Sequence, residues 1–211
     1  MRALVVYCHP SPDSFTAAVR DAVLDRLAAA GAETRLRDLY AEDFQPVLTR
    51  NEWLGYLDCP ANQAPVRDDV ADLRWCDTLI FIYPTWWYGL PALLKGWLER
   101  VMLPDVAFRM PLPGRRDIAP GLTQIGRLGV FTTCGASRWL TWLVGAPGKR
   151  TILRGLRLIC ARHCRTCFAA HYRMDSSTPE SRAHHLNRVR RATDRLIGTS
   201  RSTPFVESPA A

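Results

Sequence analysis

The sequence contains no uninterrupted apolar run long enough to span a bilayer, although 47% of its 211 residues are hydrophobic. A transmembrane helix needs about 20 consecutive apolar residues, so no membrane-spanning segment is predicted. A signal-cleavage pattern is also lacking, because Arg2 leads directly into a short apolar strand. We therefore expect a cytoplasmic protein, and the chain length fits one compact domain with a real core.

The seven cysteines are an odd number, so they cannot all be paired within the chain. Without a secretory signal, reduced thiols are expected rather than a disulfide framework. Cys160, Cys164 and Cys167 have a spacing found in iron–sulfur enzymes, with His163 as a candidate fourth ligand. The motif crosses a predicted helix-to-strand junction, where its side chains would point in different directions. We therefore predict buried, reduced cysteines and no metal site.

Acidic residues are scarce near the C-terminus. From Arg138 to Arg201, 14 Lys or Arg residues stand against three acids, in a chain whose net charge is +8. Such a segment can bind nucleic acid, an anionic lipid surface or a phosphorylated cofactor. No nucleic-acid motif accompanies the charge and aromatic residues are sparse there, so nucleic acid is not an expected partner. A solvated helix face explains the arginines more simply. The histidines of the same segment, His184 and His185, are neighbours in sequence and do not share a helix face, which argues against a joint phosphate or lipid site.

Short apolar runs alternate with helical patterns along the chain. The runs that read as strands lie at residues 2–9, 32–40, 77–83, 127–133 and 165–172. A helix is predicted from Phe15 towards Gly31, with Ser14 as its cap, and a basic helix at about 179–197. Because parallel strands need crossover connections, this alternation predicts an α/β fold: a doubly wound, five-stranded parallel sheet with helices on both faces. One domain is expected over residues 1–200, followed by a flexible tail at 201–211.

Three loops follow the predicted strands at the edge where open parallel sheets bind ligands. The first, CHPSPDSFT, offers hydroxyls at Ser11, Ser14 and Thr16 and opens a helix, which suits a phosphate. The second, YPTWWYG, offers flat aromatic walls and close backbone approach at Gly89. The third, TTCGAS, combines two threonines with Gly135 and suits the polar edge of a planar ring. Together they predict a flavin site, although the aromatic loop taken alone could be core or a dimer contact.

Three segments carry a more specific resemblance: HPSPDSFTAAV (9–19), YPTWWYGLPALLKGWLERVM (83–102) and FTTCGAS (131–137). They resemble the signature loops of the NAD(P)H:quinone oxidoreductase family of flavodoxin-like proteins, which includes DT-diaphorase, modulator-of-drug-activity reductases and potassium-efflux ancillary flavoproteins. The resemblance runs in register from Met1 to about Ser137 and is weaker beyond. It implies a flavodoxin-like fold, FAD or FMN as cofactor with FAD favoured, and NADPH or NADH as electron donor. It also implies a homodimer and ping-pong hydride transfer through flavin N5 to a quinone-like acceptor.

The resemblance implies roles for particular residues. At the flavin phosphate it places His9, Ser14, Phe15 and Thr16. Against the isoalloxazine ring it places Pro84, Thr85, Trp86, Trp87 and Tyr88. The polar edge of that ring would be hydrogen-bonded by the loop containing Thr132, Thr133, Cys134 and Gly135.

The third loop departs from the family pattern. DT-diaphorase-like members have a tyrosine and a histidine downstream of this loop that stabilise charge on the reduced flavin. Here Trp139, Leu140 and Trp142 occupy that neighbourhood. His171 and Tyr172 are candidate substitutes, and no catalytic residue is assigned. Cys134 replaces a glycine and is expected to be inert packing.

Two other functions remain open at this stage. A flavoprotein could regulate a membrane transporter, binding it or the membrane through the basic C-terminal half. Alternatively, a reductase could keep the flavin and act on a different organic substrate, because the third loop is altered. A one-electron shuttle is less favoured, since the aromatic loop continues into a reductase-type helix.

Overall fold

The computed structural model describes residues 1–111, 114 and 117–198. Its strands are, in chain order, β1 (Arg2–Tyr7), β2 (Glu33–Asp38), β3 (Thr78–Thr85), β4 (Phe108–Arg109), β5 (Ala119–Pro120), β6 (Arg127–Cys134) and β7 (Arg165–His171). Five of them form one sheet in the order β2-β1-β3-β6-β7, in which all neighbours run parallel. This is the flavodoxin-like doubly wound order, so the predicted fold class is confirmed.

The helices connect these strands across both faces of the sheet. They are α1 (Phe15–Ala29), α2 (Arg50–Leu54), α3 (Arg67–Trp75), α4 (Ala92–Val101), α5 (Arg138–Leu143), α6 (Pro147–Arg150) and α7 (Pro179–Ile197). The core beneath one face is built with α1 and α7, and the core beneath the other with α3 and α4. Single turns of 3₁₀ or π type fill the remaining connections at Ala61–Val66, Thr151–Gly155, Leu156–Ile159 and Met174–Ser176. Within the described residues, no helix has the length and apolar character to cross a bilayer.

The position of β3 at the centre of the sheet explains its run of apolar residues from Leu79 to Tyr83. Leu79 and Phe81 pack into the core beside α3 and α4, whereas Ile80 and Ile82 pack into the core beside α1 and α7. Successive side chains of a strand point to opposite faces, and both faces are covered here. A polar residue on either side would therefore be buried.

Local sequence sets where the long helices begin and end. Ser14 accepts the Ala17 N–H through its Oγ and so caps α1. Thr178 begins α7 with a capping box, and Gly198 follows the helix with a φ of 82°. Only glycine adopts this left-handed conformation without strain, so the helix stops where the sequence predicts.

Several predicted boundaries shift at the carboxyl edge of the sheet. Strand β1 ends at Tyr7 rather than residue 9, while β3 continues to Thr85. The antiparallel pair β4 and β5 and the short helix α2 were not predicted, because two to five residues hold too little periodicity to detect. The predicted tail at 201–211 lies outside the described residues, and the domain extent of 1–200 stays a prediction.

Candidate active site at the carboxyl edge of the sheet

A cleft of about 750 Å³ opens at the carboxyl ends of β1, β3 and β6. Its volume lies within the range of roughly 300–1,000 Å³ that is usual for cofactor sites. The sequence predicted the residues that line most of it: His9, Pro84, Thr85, Trp86, Trp87, Tyr88, Thr133, Cys134 and Gly135. The structure therefore brings the three predicted loops to one site.

The aromatic loop contains a strained turn between Trp86 and Gly89. The Gly89 N–H donates to the Trp86 carbonyl oxygen at 2.9 Å. Between them, Trp87 and Tyr88 both have positive φ, 48° and 62°. Turns of this shape usually carry asparagine or glycine, and a left-handed non-glycine residue costs about 1–3 kcal/mol. The Trp87 side chain lies on the surface, where it is 95% exposed.

Helix α6 supports this turn from behind. The Gly148 N–H donates to the Tyr88 carbonyl oxygen over 3.4 Å. A Cβ atom added at Gly148 would lie 3.1 Å from the carbonyl carbon of Gly89, closer than side chains normally approach backbone. Glycine at position 148 therefore allows the two backbones to meet.

Two threonine pairs join the loops to each other. The hydroxyl oxygens of Thr85 and Thr132 are 2.8 Å apart, and those of Thr16 and Thr133 are 3.1 Å apart. Thr132 and Thr133 are neighbours on β6, so their side chains leave the strand on opposite faces. The third loop is thus tied to the aromatic loop on one side and to the first turn of α1 on the other.

The first loop presents His9 and the start of α1. The Nδ1 atom of His9 lies 3.0 Å from the backbone nitrogen of Ser11 and 3.1 Å from the Ser11 carbonyl oxygen. These contacts anchor the ring through Nδ1. Burial lowers the pKa of His9, against the opposing effect of its hydrogen bond with Ser11, so the imidazole is neutral near pH 7. The first-turn amides of α1, such as those of Phe15 and Thr16, have no intrahelical acceptor. They give this end of the helix its affinity for anions.

Six of the predicted site residues do not line the cleft: Ser11, Ser14, Phe15, Thr16, Gly89 and Thr132. The ring of Phe15 instead packs against His171 and His185, with centroid distances of 5.4 and 5.9 Å. Ser11 contacts the His9 ring and Ser14 caps α1, while Gly89 closes the aromatic turn. Thr16 and Thr132 make the threonine bonds described above. Their observed contacts shape the cleft from behind its surface.

A fourth loop, after β7, was missed. It brings Met174 and Asp175 to the cleft, and Ala136 completes the lining. A Cβ atom added at Gly135 would lie 3.0 Å from Oδ2 of Asp175, so this carboxylate stands directly beside the third loop. The rule that strand ends bind ligands applies equally to β7, and applying it to every strand would have found this loop.

The candidate substitutes for the missing tyrosine and histidine lie outside the cleft. His171 is buried, with Nε2 3.4 Å from Ser181 Oγ, and burial lowers its pKa, as do Arg188 and Arg182. Tyr172 lines a separate pocket of about 20 Å³ behind the third loop, together with Cys134. The Cys134 thiol is 5% exposed and lies 3.7 Å from Thr141 Oγ1, in agreement with a packing role.

The clustered cysteines divide between the two cores. Cys160 and Cys164 pack into the core beside α3 and α4, whereas Cys167 packs against the other core. Across residues 1–111, 114 and 117–198, no group of three or more His, Cys, Asp or Glu side chains is placed to hold a metal ion. The sheet itself therefore separates Cys167 from Cys160 and Cys164, which the sequence spacing groups with it.

Comparison with known proteins gives a consistent picture. A family model described as "Flavodoxin-like fold" matches residues 1–196. The ribosyldihydronicotinamide dehydrogenase (quinone) of Pongo abelii is 32% identical over 158 residues, which cover 66% of this chain and 66% of that protein. The NAD(P)H dehydrogenase (quinone) 1 of Cavia porcellus is 34% identical over 168 residues, covering 72% of this chain and 60% of that protein.

A solved structure extends the similarity over most of the chain. The NAD(P)H:quinone oxidoreductase of Methanothermobacter marburgensis superposes with a TM-score of 0.77 and 25% identity, covering 93% of this chain and 97% of that one. The chain spans about two thirds or less of the length of the two curated relatives, but it covers nearly all of the Methanothermobacter marburgensis protein. The chain therefore belongs to the flavodoxin-like family that includes the NAD(P)H:quinone oxidoreductases.

Proposed function

We propose that this protein is a flavin-dependent NAD(P)H oxidoreductase that reduces quinones or similar acceptors by hydride transfer. One observation carries the proposal: His9 from the loop that leads into α1, the aromatic loop and the threonine–glycine loop line a single cleft at the carboxyl edge of the sheet. The names of its relatives, which are quinone dehydrogenases, support the same activity.

The residues present suit a flavin. The cleft has room for the flavin mononucleotide portion that FMN and FAD share. Trp86 and Tyr88 offer flat apolar surface in the cleft. The first turn of α1, which Thr16 joins to Thr133 of the cleft lining, offers amides without intrahelical acceptors. A Bacillus anthracis azoreductase in complex with FMN shares the fold at 14% identity. FAD stays the favoured form, as the resemblance of the loops implies.

Each part of the cleft has a distinct task in this proposal. The bound flavin would supply the chemistry, accepting a hydride from NADPH or NADH and passing it to the acceptor. His9 and the amides at the start of α1 would hold the phosphate. The backbone of Thr133 and Gly135 would bind the polar edge of the ring system, and Trp86 would orient its plane. Asp175 would face whatever enters beside Gly135.

We also propose that the protein acts as a homodimer. Large apolar side chains are exposed on two parts of the surface, one of them formed by Trp53, Leu54 and Leu57 and the other by Trp139, Trp142 and Leu143. Contiguous apolar surface of this kind marks interaction sites. Sedimentation velocity tests this directly, and a monomer at micromolar concentration would contradict it.

The deciding experiment is a visible spectrum of the purified protein after incubation with excess FMN or FAD and removal of unbound flavin. We expect retained flavin that bleaches with NADPH or NADH under anaerobic conditions and recovers its colour when a quinone is added. Parallel lines in double-reciprocal plots would support ping-pong exchange of donor and acceptor in one cleft. If neither flavin is retained, the proposed function is wrong.

The altered third loop favours one alternative, a reductase for another class of acceptor. Cys134, which lines the cleft, stands where the family pattern has glycine. Comparing quinones with azo dyes, nitro compounds and unsaturated carbonyls would distinguish the two. Binding to anionic vesicles that high salt reverses would instead indicate the membrane or transporter role predicted for the basic half.

A further inference from the structure

Within the described residues, the cleft contains one carboxylate, and no cationic side chain pairs with it. Among the described residues that line the cleft, Asp175 is the one acidic side chain, and none is lysine or arginine. Asp175 is exposed and forms no ion pair with any part of the chain that the structure describes. The imidazole of His9, which also lines the cleft, is neutral near pH 7 because burial lowers its pKa.

The backbone around Asp175 is tied to the third loop. Asp175 lies in the middle of the 3₁₀ turn Met174–Ser176, and the preceding Arg173 has a φ of 55°. The Arg173 N–H donates to the Ala136 carbonyl oxygen at 3.2 Å. A Cβ atom at Gly135 would lie 3.0 Å from Oδ2 of Asp175, so glycine at this position leaves the carboxylate its space. The carboxylate is therefore held beside the loop proposed to bind the polar edge of the flavin.

A fixed charge at this position sorts ligands by their own charge. The whole chain carries a net charge of +8, which favours anions at long range. At physiological salt such a long-range field is largely screened beyond about 8 Å. A charged group that enters beside Asp175 lies inside this distance. The carboxylate then attracts a cation and repels an anion, each by a factor on the order of three to ten in affinity.

We infer that Asp175 is a specificity-determining residue, which makes the cleft prefer cationic acceptors to neutral ones and neutral acceptors to anionic ones. The inference rests on the proposed function, because it takes the small ligand that enters beside Gly135 to be the electron acceptor. The charge of a small acceptor lies close to its reacting ring, whereas a ribose separates the phosphates of NADPH or NADH from the nicotinamide. Asp175 therefore acts on the acceptor more strongly than on the donor.

The substrate class becomes narrower as a result. We expect flat ring compounds, quinones among them, that carry an amine or another cationic group rather than a sulfonate or carboxylate. Asp175 takes no part in the hydride transfer, so KM rather than kcat should carry the difference.

Binding of three matched probes tests this without turnover. They share one 1,4-dimethoxynaphthalene nucleus, which neither accepts a hydride nor reacts with thiols, and carry a hydroxymethyl, a sulfonatomethyl or a trimethylammoniomethyl group. Dissociation constants are measured by calorimetry on the protein with saturating flavin. We expect the cationic probe to bind on the order of tenfold more tightly than the anionic one at low salt, with the neutral probe between them. Raising the ionic strength should reduce this difference.

Variants assign the preference to one residue. Asp175→Asn should bring the three dissociation constants together, and Asp175→Lys should reverse their order. Asp25→Asn is the matched control, because it removes the same charge from an exposed residue near the C-terminal end of α1, outside the cleft lining. An order of affinities that survives Asp175→Asn, or that Asp25→Asn alters equally, would overturn the inference. Tightest binding of the anionic probe to the unaltered chain would overturn it as well.

Steady-state rates with the three corresponding naphthoquinones separate this inference from the proposed function. We expect their KM values to follow the order of the probe dissociation constants, with similar kcat values. If none of the quinones is reduced but Asp175→Asn still changes the order of probe binding, the reductase function is wrong and the charge selection stands. If no flavin is retained, the titrations on the flavin-free chain decide the charge selection in the same way. If the quinones are reduced with the same KM values by the unaltered chain and Asp175→Asn, the charge selection is wrong and the reductase function stands.

Discussion

The hydroxyl oxygens of Thr16 and Thr133 lie 3.1 Å apart although 117 positions separate them in the chain. Both side chains are buried, so neither hydroxyl can turn to bulk solvent for a substitute partner. The bond holds the first turn of α1 against the end of β6. It thereby fixes the spacing between the proposed phosphate-binding site at the start of α1 and the loop that would bind the polar edge of the flavin ring system.

Thr133→Val tests this link because it keeps the shape of the side chain and removes the hydroxyl. The Thr16 hydroxyl would be left buried without its partner, which costs about 1–3 kcal/mol of unfolding free energy. We expect urea denaturation to show that loss and flavin titration to show weaker binding. Thr16→Val combined with Thr133→Val should cost less than the two single changes added together. A strictly additive result would show that the two hydroxyls do not interact.

Gly148→Ala should disturb the strained turn through its backbone support. The added Cβ would meet the Gly89 carbonyl carbon at 3.1 Å, and the turn must move or α6 must shift. We expect a loss of about 1–3 kcal/mol in stability, as is usual for overpacking, with weaker flavin binding. Gly155→Ala is the matched control, since a Cβ there meets nothing within 4 Å and its φ is −59°. Equal effects of the two changes on thermal unfolding and flavin titration would contradict the role of Gly148.

Trp87→Ala and Trp142→Ala separate the cleft from the rest of the exposed aromatic surface. The two side chains are 95% and 72% exposed, so neither substitution should destabilise the fold of a single chain. Only Trp87 lines the cleft, and we expect its loss to weaken flavin retention or slow hydride transfer, with affinity falling on the order of tenfold. Trp142→Ala should mainly shift the dimer equilibrium. Equal effects on the retained flavin would mean that the pocket has been misplaced.

His185 should make stability fall in mild acid. Its ring is 2% exposed, neither ring nitrogen has a hydrogen-bond partner, and burial lowers its pKa from 6.5 to about 3, assisted by Arg188, His171 and His184. The unfolded chain therefore binds a proton that the folded chain excludes. The contribution is complete above about pH 6.5 and is lost as pH falls towards 3, with a slope of up to about 1.4 kcal/mol per pH unit.

His185→Leu should reduce this acid sensitivity in urea denaturation measured from pH 7 to pH 4. A smaller dependence should remain, because the pKa of His171 is lowered in the same direction. His163→Leu changes an exposed histidine that does not contribute to the pKa of His185, and it serves as control. An unchanged pH profile in His185→Leu would show that other groups cause the effect.

The elements predicted correctly are those in which the local residue preferences favour the same structure as the overall fold. Strand β3 is apolar from Leu79 to Tyr83 because both of its faces are buried. Helix α7 runs from a proline to the residue before a glycine, as its sequence predicts. The three ligand loops could be placed because each follows a strand, and the carboxyl ends of parallel strands share one edge.

The rest depends on contacts that no local pattern encodes. Trp87 and Tyr88 adopt backbone angles that their own preferences oppose, and the contact of Gly148 with Gly89 appears only after α6 has packed. The position of Asp175 beside Gly135 depends on the turn after β7, in which Arg173 donates its N–H to the Ala136 carbonyl oxygen. These features arise from tertiary contacts, so the local sequence does not predict them.

The Thr132 and Thr133 hydroxyls make their hydrogen bonds on opposite faces of the sheet, which limits where residues can be inserted or deleted. In the observed register, Tyr83 pairs with Thr132 and Pro84 with Thr133. Deleting or inserting one residue within β6 would send every following side chain to the other face, and both hydroxyl contacts would be lost together. The loops at the opposite edge carry no such constraint on the cleft. We therefore expect lengthening to be tolerated there, whereas an insertion or deletion within β6 should disrupt the cleft.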